Sequence, residues 1–189
     1  DRCSSAWTMA FLDEQRRILN CHVALWGPYL SGKTTTLFQL AKRVLGHSNL
    51  APKPDGDPSG PAPSMTMIER ASIPLNKVRD HELLFHLHAV EGHPAFASRR
   101  EELLGLTHFD GFLFVADSRE SRFEANLESL AELESLLEAS SRELDSVPLV
   151  FQYNRRDAPD AAPVEDLDEG LNWFDSPAIP AVAPAGTGV

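Results

Sequence analysis

Residues 27–34 read GPYLSGKT: a glycine, four intervening residues, then Gly32-Lys33-Thr34. These residue types at this spacing can wrap a polyphosphate. Backbone N–H groups from Gly27, Leu30, Ser31, Gly32 and on through Thr34 and Thr35 surround the phosphates. The Lys33 ammonium reaches the β- and γ-oxygens, and the Thr34 hydroxyl is offered to Mg²⁺. The competing reading is a glycine-rich turn that matches the spacing by accident. Its flanks argue against accident: CHVALW before it is an apolar strand, and TTLFQLAKRVL after it has helical periodicity. A strand that turns into a helix N-terminus presents uncapped N–H groups and a favourable dipole to an anion.

A second cluster lies far along the chain, where Asn154-Arg155-Arg156-Asp157 follows a strand. A carboxylate at Asp157 can accept two hydrogen bonds, from guanine N1–H and from its exocyclic amino group, a pair that adenine does not offer. Asn154 would brace this loop and contact N7, and Arg155 can lie across base and ribose as a cationic strap. Ala183-Pro184-Ala185, after the last strand, can supply a backbone N–H to guanine O6. The alternative is a charged turn capped by Asn and Asp.

Groups able to act on the terminal phosphate are sparser. His93, one residue past Gly92, can orient an attacking water or accept its proton; a structural or surface role is the other reading. Arg70 can fold over the β/γ bridge to offset transition-state charge, or else pair with Glu69 in solvent. Thr66 and Ser72 both remain open as the hydroxyl that senses Mg²⁺ and the γ-phosphate. Ala89 ends the strand before His93, so no carboxylate there organises the metal, and Mg²⁺ binding leans on Thr34 and the phosphates.

These residues require an α/β framework with a sheet covered by helices on both faces. The pattern predicts a hairpin over 11–26 with Asn20 to Trp26 as the central strand. It predicts a helix from Thr34 to Leu45 with the apolar stripe Leu37, Leu40, Ala41 and Val44, ending near Gly46. Strands are expected at Leu83 to Val90, Phe112 to Ala116, Leu149 to Tyr153 and Ile179 to Ala183. Helices are expected at Ala97 to Leu104, Ser121 to Ser140 and Pro163 to Asn172. Gly46 to Ser64 carries five prolines and three glycines with almost no large apolar residue. Such a stretch cannot order itself by burial, so a mobile loop inserted in one domain spanning 1–189 is expected. The sheet calls for a further helix after the last strand, where the sequence stops at Val189; either that helix belongs to a longer chain or the fold ends early.

Composition narrows the function classes. With 189 residues, one domain is the natural size. A formal charge of −11 argues against a nucleic-acid or anionic-membrane surface. No apolar run is long enough to cross a bilayer, no secretory signal is apparent, and Cys3 and Cys21 fit neither a metal spacing nor a disulfide framework. A reducing, cytoplasmic setting is the expectation.

Taken together, ILNCHVALWGPYLSGKTT, FDGFLFVADSRESRFEANLESL, VPLVFQYNRRDAPDAAPVE and AVAPAGTGV resemble the MglA-like small Ras-like GTPases of bacterial polarity and gliding motility. The resemblance spans nearly everything from Ile18 to Val189 apart from the polar segment. It implies a P-loop NTPase with a Ras-like sheet and an extra N-terminal strand, acting as a GTP/GDP switch with Mg²⁺. It implies a roadblock-type, MglB-like homodimer as activator, with polarity or motility effectors that recruit it to a cell pole. The family's catalytic arginine comes in cis from its first switch, and Glu69-Arg70 matches that position; Ala71 stands where the family has its switch threonine. His93 replaces the catalytic glutamine, Arg155 replaces the lysine of the NKRD stretch, and the polar segment is longer. Keeping the arginine while losing the glutamine implies a slow GTPase. The rival reading is a nucleotide-binding scaffold with little hydrolysis, and a kinase-like P-loop transferase is a distant third.

Overall fold

The computed structural model describes residues 11–46, 68–106 and 108–189. The expected loop between Gly46 and Ser64, apart from Gly46 itself, lies outside the described residues, as do Cys3 and Thr66. The fold is a mixed sheet flanked by helices. Its order is β3 (Ile68–Val78), β4 (His81–Val90), β2 (Ile18–Trp26), β5 (Gly111–Asp117), β6 (Leu149–Asn154) and β7 (Ala178–Pro180), with β1 (Phe11–Asp13) paired antiparallel to the start of β2. Strands β4, β2, β5, β6 and β7 are mutually parallel, and β1 and β3 run the other way. The parallel strands therefore end at one rim, where Trp26, Val90, Asp117, Asn154 and Pro180 hand the chain to its loops. Because β4 and β5 pair on opposite sides of β2, the end of β2 is the point where the winding reverses, the usual ligand crevice of such sheets.

Two apolar layers cover the sheet. On one face, helix α1 (Lys33–Leu45) sets Leu37 and Ala41 against Leu25, Ala71, Ile73, Leu87 and Ala89. Gly46 ends the helix in a left-handed turn, as expected for a C-terminal glycine. Val44, expected in the buried stripe, is exposed, so the stripe narrows toward the helix end. On the other face, α2 (Ala97–Leu106), α3 (Phe123–Ala139) and α4 (Val164–Leu171) enclose the larger core around Phe109, Phe114, Leu133, Leu137, Phe151 and Tyr153. Trp26 is buried at the end of β2 and satisfies its indole by donating to the Ser129 carbonyl at 3.0 Å.

Two strands differ from the sequence expectations. β3 was not anticipated, because Arg70, Ser72, Pro74, Asn76 and Lys77 break any apolar run. It is an edge strand, where proline and charge are tolerated, and its register slips between Pro74 and Lys77. The last strand is shorter than expected: Ala183 already belongs to a 3-10 turn, Ala183–Ala185, rather than to β7. Among the described residues no helix follows that turn, and Ile179 on β7 is exposed.

Candidate nucleotide site

The loop from β2 to α1 has unusual backbone demands. Gly27, Leu30 and Gly32 all have positive φ, at 138°, 63° and 104°. A Cβ on Gly27 would stand 2.3 Å from the Val115 carbonyl oxygen, and one on Gly32 would stand 2.2 Å from Asn154 Nδ2. Only glycine permits these approaches. Five successive carbonyls of this loop accept hydrogen bonds from side chains. Lys33 Nζ donates to Gly27 (2.8 Å) and Pro28 (2.7 Å), Arg122 to Tyr29 (2.8 Å), Arg155 to Leu30 (2.7 Å) and Asn154 Nδ2 to Ser31 (2.7 Å). The N-terminus of α1 has no side-chain cap, and the wholly buried Ser31 hydroxyl has no partner. Orphan donors at a helix start, beside a buried lysine, suit a phosphate chain. Thr34 and Thr35 sit half-buried on the first turn, while Thr36 Oγ1 accepts from Gln152 in the interior.

Lys33 is buried, and burial pulls its ammonium pKa down to about 8; Glu91 opposes this shift, and Arg100 and Arg122 reinforce it. Burial disfavours the charged form, whereas a polyphosphate would favour it.

At the far side, Asn154 is almost wholly buried and joins three segments. It donates to the Ser31 carbonyl, its Oδ1 accepts from Ala183 N–H at 2.9 Å, and its carbonyl accepts from Ser118 N–H. Arg155 has a left-handed backbone (φ 63°) and reaches the Leu30 carbonyl and Asp117, so its head lies over the loop between β2 and α1. Asp157 is exposed one turn further on. Ala183 N–H is engaged by Asn154, Pro184 has no N–H, and Ala185 N–H donates to Val182. The stretch expected to meet guanine O6 thus braces Asn154.

The residues expected at the terminal phosphate divide. Gly92 touches the loop between β2 and α1, since a Cβ there would be 2.5 Å from the Gly27 carbonyl oxygen. His93 follows, with its ring edge-on to Tyr29 at 5.0 Å. Its Nδ1 accepts from Ala95 N–H at 3.1 Å, so a neutral ring carries its proton on Nε2 and can donate there but not accept. Arg70 is elsewhere. It lies on β3 opposite His88, two strands from β2, roughly 10 Å at the usual spacing. Ala71 and Ile73 pack toward α1, so Arg70 and Ser72 share the other face, where Ser72 Oγ meets His86 Nδ1 at 2.9 Å. Ala89 is buried under α1. Among the described residues, no group of three or more His, Cys, Asp or Glu could hold a metal ion.

Two features escaped the sequence reading. Arg100 on α2 is 4% exposed and donates to the Glu91 and His93 carbonyls, with Glu132 on α3 as its counter-ion at 2.6 Å. It thereby fixes the loop after β4. Asp117, at the end of β5, is wholly buried among Arg119, Arg122 and Arg155. A carboxylate closing the apolar run FLFVA at the rim was the available signal.

No protein-family model matches the chain. It is 35% identical over 187 residues to the mutual gliding-motility protein MglA of Myxococcus xanthus (strain DK1622), an alignment covering 96% of this chain and 90% of that protein. With an α/β sheet of the expected class and that identity over nearly its whole length, the chain belongs to the MglA family.

Proposed function

We propose that this chain is a guanine-nucleotide-binding switch that hydrolyses GTP to GDP and serves bacterial cell polarity or gliding motility. The observation that carries the reading is Asn154, which ties the phosphate loop at Ser31 to the last loop at Ala183. One buried amide joins the segment suited to phosphates to the segments suited to a purine. In this reading Lys33 turns from the Gly27 and Pro28 carbonyls to the β- and γ-oxygens, and N–H groups of residues 30–35 wrap the phosphates. Asp157 selects guanine through N1–H and the amino group, and Arg155 closes over the base edge. Thr34 would hold Mg²⁺ together with phosphate oxygens, where the ion would supply charge neutralisation. His93 donates from Nε2 to orient the water or a γ-oxygen, and is not its base.

Arg70 is proposed as the charge-stabilising arginine once β3 carries it to the rim. Contact with a roadblock-type homodimer is the proposed means, and a cytoplasmic protein gathered at a pole is the proposed setting. Among the described residues no helix is long and apolar enough to cross a membrane. A second reading, a GTP/GDP-binding scaffold with little hydrolysis, is favoured by one observation: Arg70 pairs with His88 on the sheet face opposite α1. Single-turnover GTP hydrolysis with and without such a partner decides between them. The switch requires a rate that rises with the partner and collapses in Arg70→Ala; GTP left intact in both settings supports the scaffold.

A further inference from the structure

The geometry points to Asp117 and Arg122 as a positioning pair that shapes the phosphate loop through its carbonyls, an inference that rests on the nucleotide reading above. Asp117 is wholly buried, and a buried carboxylate persists in charged form only if paired. Arg119 alone supplies a two-pronged partner, Nε at 3.0 Å and a terminal nitrogen at 2.6 Å. Arg122 and Arg155 are therefore in excess of what charge balance needs. Each aims Nε at the same Asp117 oxygen, at 3.9 and 3.3 Å, and neither Nε has a hydrogen-bond acceptor. What Asp117 gives them is attraction, which holds the two heads over the loop.

The other end of each head does the positioning. Arg122 captures the Tyr29 carbonyl and Arg155 the Leu30 carbonyl. A trans peptide is planar, so fixing its C=O fixes the following N–H on the opposite side. The bonds at Tyr29, Leu30 and Ser31 thus orient the N–H groups of Leu30, Ser31 and Gly32 as a set, with Ser31 N–H held in addition by the Pro28 carbonyl at 3.3 Å. Leu30 needs this help, because a non-glycine residue at φ 63° is disfavoured unless its surroundings impose it. Three guanidiniums against Asp117, with Asp160 beside Arg119, still leave a positive surplus at the rim of a chain whose formal net charge is −11. That local surplus suits a polyphosphate.

The test uses the whole protein with Arg122→Ala, Arg122→Lys, Asp117→Asn and the double Asp117→Asn/Arg122→Ala variants. Dissociation of a fluorescent GDP should be about tenfold faster in Arg122→Ala. Arg122→Lys, which keeps the charge but not the two-ended reach, should recover only part of that. The double variant should be no faster than the faster single one, as members of one unit behave. The guanine-over-adenine preference should stay unchanged. In nucleotide-stripped protein, amide exchange at Leu30, Ser31 and Gly32 should rise in Arg122→Ala while that of the β5 core does not. Unchanged dissociation and exchange in Arg122→Ala, or a double variant whose effects multiply, would overturn the pair. Arg122 is partly exposed, so its variants keep the test decisive even if Asp117→Asn folds poorly. Should the unmutated protein retain neither GDP nor GTP, the functional reading falls, and amide exchange still decides the pair.

Discussion

The rim of the sheet has two unlike halves. Where β2, β5 and β6 end, carbonyls and buried side chains are tied across several segments, and five side-chain bonds converge on the carbonyls of residues 27–31. Where β3 and β4 run, polar groups are gathered further down the strands: His22 Nδ1 faces His88 Nε2 at 3.1 Å, the His22 and His86 rings stack at 4.7 Å, and His86 bonds Ser72 and Asn20. The half suited to holding a nucleotide is built in advance, whereas the arginine suited to cleaving one sits on an edge strand among histidines. In the proposed switch, binding and hydrolysis would thus be separable. A register change confined to β3 would alter hydrolysis with little cost to the binding half, because β3 contributes no tie to the phosphate loop among the described residues.

That contrast can be broken most forcefully at Lys33. Lys33→Ala should weaken GDP and GTP binding by about 3 kcal/mol, roughly a hundredfold, since truncating one partner of a buried charge pair costs that order. Calorimetry on stripped protein reads it directly; a loss under fivefold would mean the ammonium stays on the Gly27 and Pro28 carbonyls.

Acid should act on the other half. Burial, aided by Arg70, His22 and His86, pulls the His88 imidazole down to about 4 from 6.5. Between those values the unfolded chain takes up the proton that the fold refuses. Stability present above pH 6.5 is therefore lost as pH falls toward 4, by up to about 3 kcal/mol. His88→Leu should flatten this dependence in urea titrations at pH 7 and 5, and an undiminished slope would acquit His88.

Alkali should act on the binding half alone. With Lys33 near 8 in the nucleotide-free protein, binding above that pH must take up a proton. Affinity then falls by up to about tenfold per pH unit. Calorimetry at pH 9 in buffers of different ionisation enthalpy measures the uptake, and buffer-independent heats would contradict it. The smallest effect sharpens the contrast: Arg70→Ala should change GDP affinity by less than about threefold, under roughly 0.6 kcal/mol. A tenfold loss would show that β3 already reaches the nucleotide.

What could be read from the sequence was local. GPYLSGKT, the strand before it and the helix after it lie within one stretch, and Asn154 follows an apolar run that names its strand. The strand β3 was illegible because its partner, β4, supplies the pairing that its own polar residues conceal. The cluster around Asp117 was illegible for another reason: it joins positions 29, 30, 117, 122 and 155, which only the closed sheet brings together. The acceptor role of His93 Nδ1 likewise depends on one backbone N–H two residues on, which no residue pattern announces.

Trp26 gives the molecule a built-in optical probe. Its ring is buried at the last position before the phosphate loop, with the Arg100 guanidinium 6.0 Å from the ring centroid. Because Arg100 also grips the carbonyls of Glu91 and His93, a displacement of that loop alters the electric field felt by the indole and hence its emission. Trp173, 65% exposed, emits as a water-facing fluorophore, and Trp7 lies outside the described residues, so the double variant Trp7→Phe/Trp173→Phe would leave Trp26 as the one emitting indole.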